Sequence, residues 1–112
     1  MHEPRERVLL RVFIGENHRY KGRPLYEAIV LKARELNMAG ATVLRGPLGY
    51  GKTSILHTSK ILRLSTDLPL VIEMVEKEEK IDAFLPVLDT MMDSGLVTTE
   101  KVKVLHYGGS EA

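Results

Sequence analysis

The chain has 112 residues, a formal net charge of +1, 44% hydrophobic and 28% charged residues, and no cysteine. That apolar content can build a core, which excludes a disordered tail. Balanced charge without a basic stripe argues against a nucleic-acid binder, and the lack of cysteine excludes a disulfide framework and a thiolate metal site.

The length suits a single domain over residues 1–112. "RVLLRVFIG", Arg7 to Gly15, is rich in branched residues and reads as a strand. The apolar run is too short and too charged for a signal peptide or a membrane span, so the expectation is a cytoplasmic protein without membrane insertion. "ENHRYKGR" reads as a polar loop. Pro24 then opens a helix, since proline suits the first helical position. Leu25, Ala28, Ile29, Ala33 and Leu36 recur at helical spacing as a buried stripe, and Asn37 and Gly40 close the helix. "ATVLRG" is the next strand.

After "STDLP" the pattern repeats. "LVIEMV" is a strand, and Ile81, Phe84, Leu85, Leu88, Met91 and Met92 recur at helical spacing up to Gly95. Pro86 sits inside this stretch and is expected to delay or kink its first turns. "LVTTEKVKVL" alternates, with Leu96, Thr98, Glu100, Val102 and Val104 on one face and Val97, Thr99, Lys101, Lys103 and Leu105 on the other.

Two strand–helix–strand units in a row predict an α+β, ferredoxin-like βαββαβ fold: a four-stranded antiparallel sheet with two helices on one face. Val8, Leu10, Val12 and Ile14 then point to the helices. Leu9, Arg11 and Phe13, with Val71, Glu73 and Val75, lie on the bare face. A face this apolar predicts an oligomer in which subunits cover each other's sheets. The alternative is that the C-terminal "HYGGSEA" folds over it.

"RGPLGYGKTS" contains Gly46, Gly51, Lys52 and Thr53 at the spacing of a phosphate-binding P-loop. A P-loop lysine opens a helix, yet "SILHTSKILRLSTD" holds no clean helical stripe. An NTPase also needs a parallel sheet and a metal-organising carboxylate at a strand end, whereas Glu73 lies inside its strand. A nucleotide hydrolase using Lys52 and Thr53 is therefore the alternative rather than the leading reading.

"GATV", Gly40 to Val43, and "GYGK", Gly49 to Lys52, resemble the PII signal-transduction proteins, in which a G-x-T-V strand runs into a long mobile loop through G-F-G-R. This chain has one extra residue between the two parts. "GRPLYEAIVLKARELNMAGATVLRGPLGYG" and "LSTDLPLVIEMVE" resemble more closely an uncharacterised PII-like family, and the similarity extends over about residues 7 to 107. The resemblance implies a homotrimer that binds an adenine nucleotide between subunits and presents a mobile loop, here about residues 52–67, to a regulated transporter or enzyme. It places Thr42 against the base, Gly49, Gly51 and Lys52 at the loop entrance, and Gly95 and Lys101 at a second loop before the last strand. Without the resemblance, Gly95 reads as a helix cap and Lys101 as a solvated strand residue.

The departures narrow that expectation. Where PII proteins have G-D-G in the second loop, this chain has Thr98, Thr99 and Glu100, and Glu100 would repel a phosphate. The basic residues PII proteins add near the C-terminus are missing, so a smaller adenine nucleotide such as AMP, or no nucleotide, fits better than ATP. The loop has no tyrosine to uridylylate. His18, His57 and His106 show no metal spacing, which leaves a cation-binding trimer resembling CutA as a lesser alternative. No nucleophile stands beside a base, so no catalytic residue is expected. The reading is a regulatory binding module, not an enzyme.

Overall fold

The computed structural model describes residues 3–50, 57–58 and 67–108. Strand β1, Arg5–Gly15, starts two residues before the expected Arg7 and alternates strictly, burying Val8, Leu10, Val12 and Ile14. The polar stretch after it is not all loop. It holds a hairpin of β2, Arg19–Tyr20, and β3, Arg23–Pro24. Lys21 at φ 48° and Gly22 at φ 83° supply the left-handed pair that a tight two-residue turn requires.

Helix α1, Leu25–Glu35, follows Pro24 and buries Leu25, Ala28, Ile29 and Ala33. Leu36, expected in that stripe, is 44% exposed. The helix ends at Glu35, and Asn37 turns to φ 62°, which carries the chain off the helix axis. Strand β4 is Thr42–Arg45 and is followed by β5, Leu48–Gly49, and β6, His57–Thr58, which pair with each other.

Strand β7, Pro69–Glu76, leads through Lys77 directly into α2, Glu78–Met91, and the last strand β8 is Leu96–Val104. Pro86 lies inside α2 without delaying it, since the helix is formed from Glu78. It lies on the exposed side, so the Asp82 carbonyl it leaves without an N–H faces water. Phe84, Ile81 and Leu88 of α2 meet Leu10, Ile29, Ile72 and Met74 in one core between sheet and helices, while Leu85 and Met92 sit half-buried at its border.

The sheet order is β4-β7-β1-β8, antiparallel throughout. The central strands come from different halves of the chain, and both helices cover the face that carries Leu10 and Ile72. This is the expected ferredoxin-like arrangement. The other face is open: Leu44 is 50% and Leu96 57% exposed, with Leu9, Phe13 and Val71 half-buried between them. Of the C-terminal "HYGGSEA", residues 106–108 are described, and at one end of the sheet the Tyr107 hydroxyl donates to the Ala39 carbonyl at 3.2 Å. Among the described residues no helix is long and apolar enough to cross a membrane.

Candidate functional site

The residues named from the sequence divide between the two edges of the sheet. Thr42 opens edge strand β4, opposite Glu73 of β7, with its side chain exposed on the open face. At the end of β4 the Gly46 N–H donates to the Pro69 carbonyl at 2.8 Å. Gly49 lies so close to Pro69 that a Cβ would come within 3.0 Å of the ring's Cγ. Glycine there lets the chain leave the sheet hard against β7, as the loop-entrance reading requires. Gly49 then pairs with His57, so strand resumes there. Gly51 and Lys52, and residues 52–56 and 59–66 of the expected mobile loop, lie outside the described residues. A P-loop runs from a parallel strand into a helix. Here the sheet is antiparallel and His57–Thr58 is strand, so the context a P-loop needs is missing from the described residues.

The opposite edge carries Gly95 and Lys101. Gly95 joins α2 to β8 at φ 116°, and a Cβ there would sit 2.8 Å from both the Phe13 carbonyl oxygen and Met92 Cε. Both the backbone angle and the packing demand glycine, so the cap reading of Gly95 has a structural cause of its own. Lys101 does not lie in a loop. It is within β8 opposite Val8, and Thr98, Thr99 and Glu100 are paired strand residues as well. The alternation of "LVTTEKVKVL" and its pairing with β1 hold the segment in the sheet where the PII pattern would have a glycine-rich loop. Lys101 is exposed, at the parity of the helix-covered face, about 20 Å along the strand from Gly95.

Between the two edges lie β7 and β1, so Thr42 and Lys101 are separated by three strand spacings, about 14 Å across the sheet. One chain does not bring Thr42 and Gly49 together with Lys101. What it does bring together is a polar row on the open face. Register aligns Thr42 with Glu73, Glu73 with Arg11, and Arg11 with Thr98. Arg11 Nε donates to Glu73 Oε2 at 2.8 Å, and its terminal nitrogen donates to Glu100 Oε1 at 2.9 Å. The hydrogen bond to Glu73 raises the guanidinium pKa most; desolvation, the next largest effect, opposes it, and the charges of Glu73 and Glu100 add to the net rise above the ordinary value. Glu100 thus shares Arg11 with Glu73 and points away from the face of Lys101. Sequence reasoning placed Arg11 and Glu73 on this face but not against each other, because that needs the register of β1 on β7. Among the described residues no group of three or more His, Cys, Asp or Glu is placed to hold a metal.

A family profile covers residues 7–104: DUF190, described as "Uncharacterized ACR". The chain belongs to the DUF190 family. It is 38% identical over 101 residues to a UPF0166 protein of Aquifex aeolicus, with 90% of this chain and 95% of that protein covered. To a UPF0166 protein of Methanocaldococcus jannaschii it is 33% identical, with 80% and 82% covered. Among solved structures it is similar to a putative PII-like signaling protein from Thermus thermophilus, at TM-score 0.66 and 16% identity, with 92% and 93% of the two chains covered. It is also similar to CPII, a nitrogen regulatory PII-like protein from Thiomonas intermedia bound to ADP, AMP and bicarbonate, at TM-score 0.63 and 17% identity, with 91% of each chain covered. The fold of this DUF190 chain is therefore PII-like, as the strand order and open sheet face already indicated.

Proposed function

We propose that the protein is a PII-like regulatory module: a homotrimer that binds an adenine nucleotide in the clefts between subunits and presents the segment after Lys52 to a regulated transporter or enzyme. One observation carries this reading. The residues suited to a nucleotide sit on opposite edges of the sheet, Thr42 and Gly49 on one and Lys101 on the other, so only a second chain can complete the site. The open face gives that second chain an apolar surface to cover. The likeness to a fold that in CPII holds ADP and AMP supports the ligand class.

The charge available favours a small nucleotide. Lys52 and Lys101 are the cations for phosphate, and β8 has strand where a glycine cradle would stand, which favours AMP over ATP. With a charge-assisted hydrogen bond contributing about 1.5–3 kcal/mol, affinity in the micromolar range or weaker is expected. Calorimetry with AMP, ADP and ATP on the wild type and on Lys101→Ala tests the site, and sedimentation velocity tests the trimer. Binding of AMP that weakens in Lys101→Ala is the expected result. Failure of all three nucleotides to bind at millimolar concentration would remove the nucleotide from the proposal, and a stable monomer would remove the shared site. Magnesium-dependent nucleotide turnover that vanishes in Lys52→Ala would instead establish an enzyme.

A further inference from the structure

The β2–β3 hairpin gathers Arg19, Lys21 and Arg23 within five residues. All three are exposed, and none enters an ion pair among the described residues. Two of them are held by the hairpin itself rather than by an acid. A terminal nitrogen of Arg19 donates to the Gly22 carbonyl at 2.8 Å, across the turn. Lys21 Nζ stands 5.3 Å from the centre of the Tyr20 ring, and that ring packs against the core. Arg23 is the partner of Tyr20 across the hairpin.

The two residues that lead into the hairpin are bonded to both ends of the segment between β4 and β7. The Glu16 N–H donates to the Leu68 carbonyl at 2.8 Å, and the Asn17 N–H donates to Asp67 Oδ1 at 2.7 Å. The Glu16 carboxylate in turn pairs with Arg45 at the end of β4. Gly15 makes room for this arrangement, since a Cβ there would come within 2.6 Å of the Asp67 carboxylate. Glu16 and Asp67 are thus engaged at the base of the hairpin, and Glu27 on the first turn of α1 pairs with none of its cations. Three cations with no acid set against them, on a short turn fixed to the sheet, make a local positive surface on a chain of net charge +1.

The form of that surface selects among anions. A membrane surface is read by about four to eight basic residues, or by an apolar side chain that inserts. The hairpin has three cations, and its one ring, Tyr20, is half-buried. Nucleic acid calls for a longer basic track. Carboxylates spaced along a peptide suit the planar forks of two arginines with a lysine between them. We propose that the β2–β3 hairpin is a docking surface for an acidic segment of a partner protein, with Arg19 and Arg23 each taking a carboxylate and Lys21 adding a third charge. The inference rests on the reading that a partner meets the molecule where the segment after Lys52 leaves the sheet, and it names the chemistry of that partner's surface. A partner held on the hairpin stands beside Arg45, Asp67 and Leu68, at both ends of that segment.

Amide-resolved NMR titration of the full chain with a capped hexaglutamate peptide, and with hexaglutamine as its neutral counterpart, tests the proposal. Hexaglutamate is expected to give saturable shifts at Tyr20, Lys21, Gly22 and Arg23, and hexaglutamine none. Raising the salt from about 20 mM to about 0.5 M should weaken the binding roughly tenfold. The triple variant Arg19→Gln, Lys21→Gln, Arg23→Gln is expected to keep the wild-type spectrum elsewhere and to lose the peptide. The charge-matched variant Arg34→Gln, Lys77→Gln, Lys103→Gln removes three exposed cations elsewhere and is expected to bind like the wild type. Equal loss in the two variants, equal binding of the two peptides, shifts confined to other parts of the chain, or no saturable binding at millimolar peptide would each overturn it. So would a preference for phosphatidylglycerol vesicles or a short oligothymidylate over hexaglutamate, which would assign the hairpin to a membrane or a nucleic acid. The salt and hexaglutamine arms use the wild type alone, so they decide even where the triple variant does not fold. No nucleotide enters the experiment, so its failure leaves the nucleotide reading standing, and failure of the nucleotide calorimetry leaves the hairpin result standing.

Discussion

Arg11 joins Glu73 and Glu100 across three strands: its Nε is 2.8 Å from Glu73 Oε2 and its terminal nitrogen 2.9 Å from Glu100 Oε1. One cation serves two carboxylates in the middle of an otherwise apolar face, so the row keeps an excess negative charge. The arginine pKa is raised above its already high ordinary value, first by the hydrogen bond to Glu73. A raised folded-state value means the contribution is fully present below the unfolded-state pKa and is lost only as the pH rises through the folded one, far on the alkaline side. Through the neutral range pH therefore leaves the guanidinium charged, and salt is the variable that matters. Arg11→Met would leave Glu73 and Glu100 without their cation on the surface proposed to meet another subunit. Sedimentation velocity on dilution should show the variant dissociating at concentrations where the wild type stays assembled. The difference should shrink at about 1 M salt, where the screening length is near 3 Å.

Phe84 is the largest fully buried side chain and touches the sheet from α2. Phe84→Ala should cost about 3–5 kcal/mol, the sum of lost transfer energy and an unfilled cavity. Urea denaturation should show this as a lower midpoint with an unchanged slope. A cost below about 1 kcal/mol would mean that the packing of α2 on the sheet is looser than described.

Gly95 and Gly22 both have positive φ but differ in surroundings. Around Gly22 a Cβ meets nothing within 4 Å, whereas at Gly95 it meets Phe13 O at 2.8 Å. Gly22→Ala should therefore cost only the left-handed backbone penalty, about 1–2 kcal/mol. Gly95→Ala should cost more, because β8 must shift off Phe13 in addition to about 1–3 kcal/mol of backbone strain. Thermal melts of the two variants compare them directly. Equal loss would show that the α2–β8 connection yields without strain.

Glu76 is the buried carboxylate of the chain's described part, 6% exposed, and each of its oxygens accepts a backbone amide. Glu76→Gln preserves the shape but presents an NH₂ group where one of those N–H donors needs an acceptor. A loss of about 1–3 kcal/mol is expected from the orphaned amide. Hydrogen exchange should locate it at Ala39 or Lys77. Unchanged stability would mean that water reaches these amides.

Much of the fold was legible because a strand with one buried face must alternate. Val8, Leu10, Val12 and Ile14 state that period without any partner, and Ile81, Phe84, Leu88 and Met91 state the helical one. Leu36 was misplaced because its apolar character continued the stripe after the helix had ended at Glu35. Pro86 does not delay α2, because the cost of a missing N–H depends on which side of the helix is wet. The strand state of Thr98 to Lys101 was readable from alternation alone. The family pattern pointed to a loop there, and pairing with β1 decided the matter.

The order of apolar and polar residues by itself determined the elements, their buried faces and the existence of an uncovered sheet face, since these follow from local periodicity and the aversion of apolar groups to water. Which residues meet depended on the tertiary structure. The pairing of β1 with both β7 and β8 put Arg11 between Glu73 and Glu100, which lie 62 and 89 positions away in the chain. The same pairing sent Thr42 and Lys101 to opposite edges. Contacts between residues so distant in sequence are set by strand register, and register comes from the whole core settling at once rather than from any segment within it.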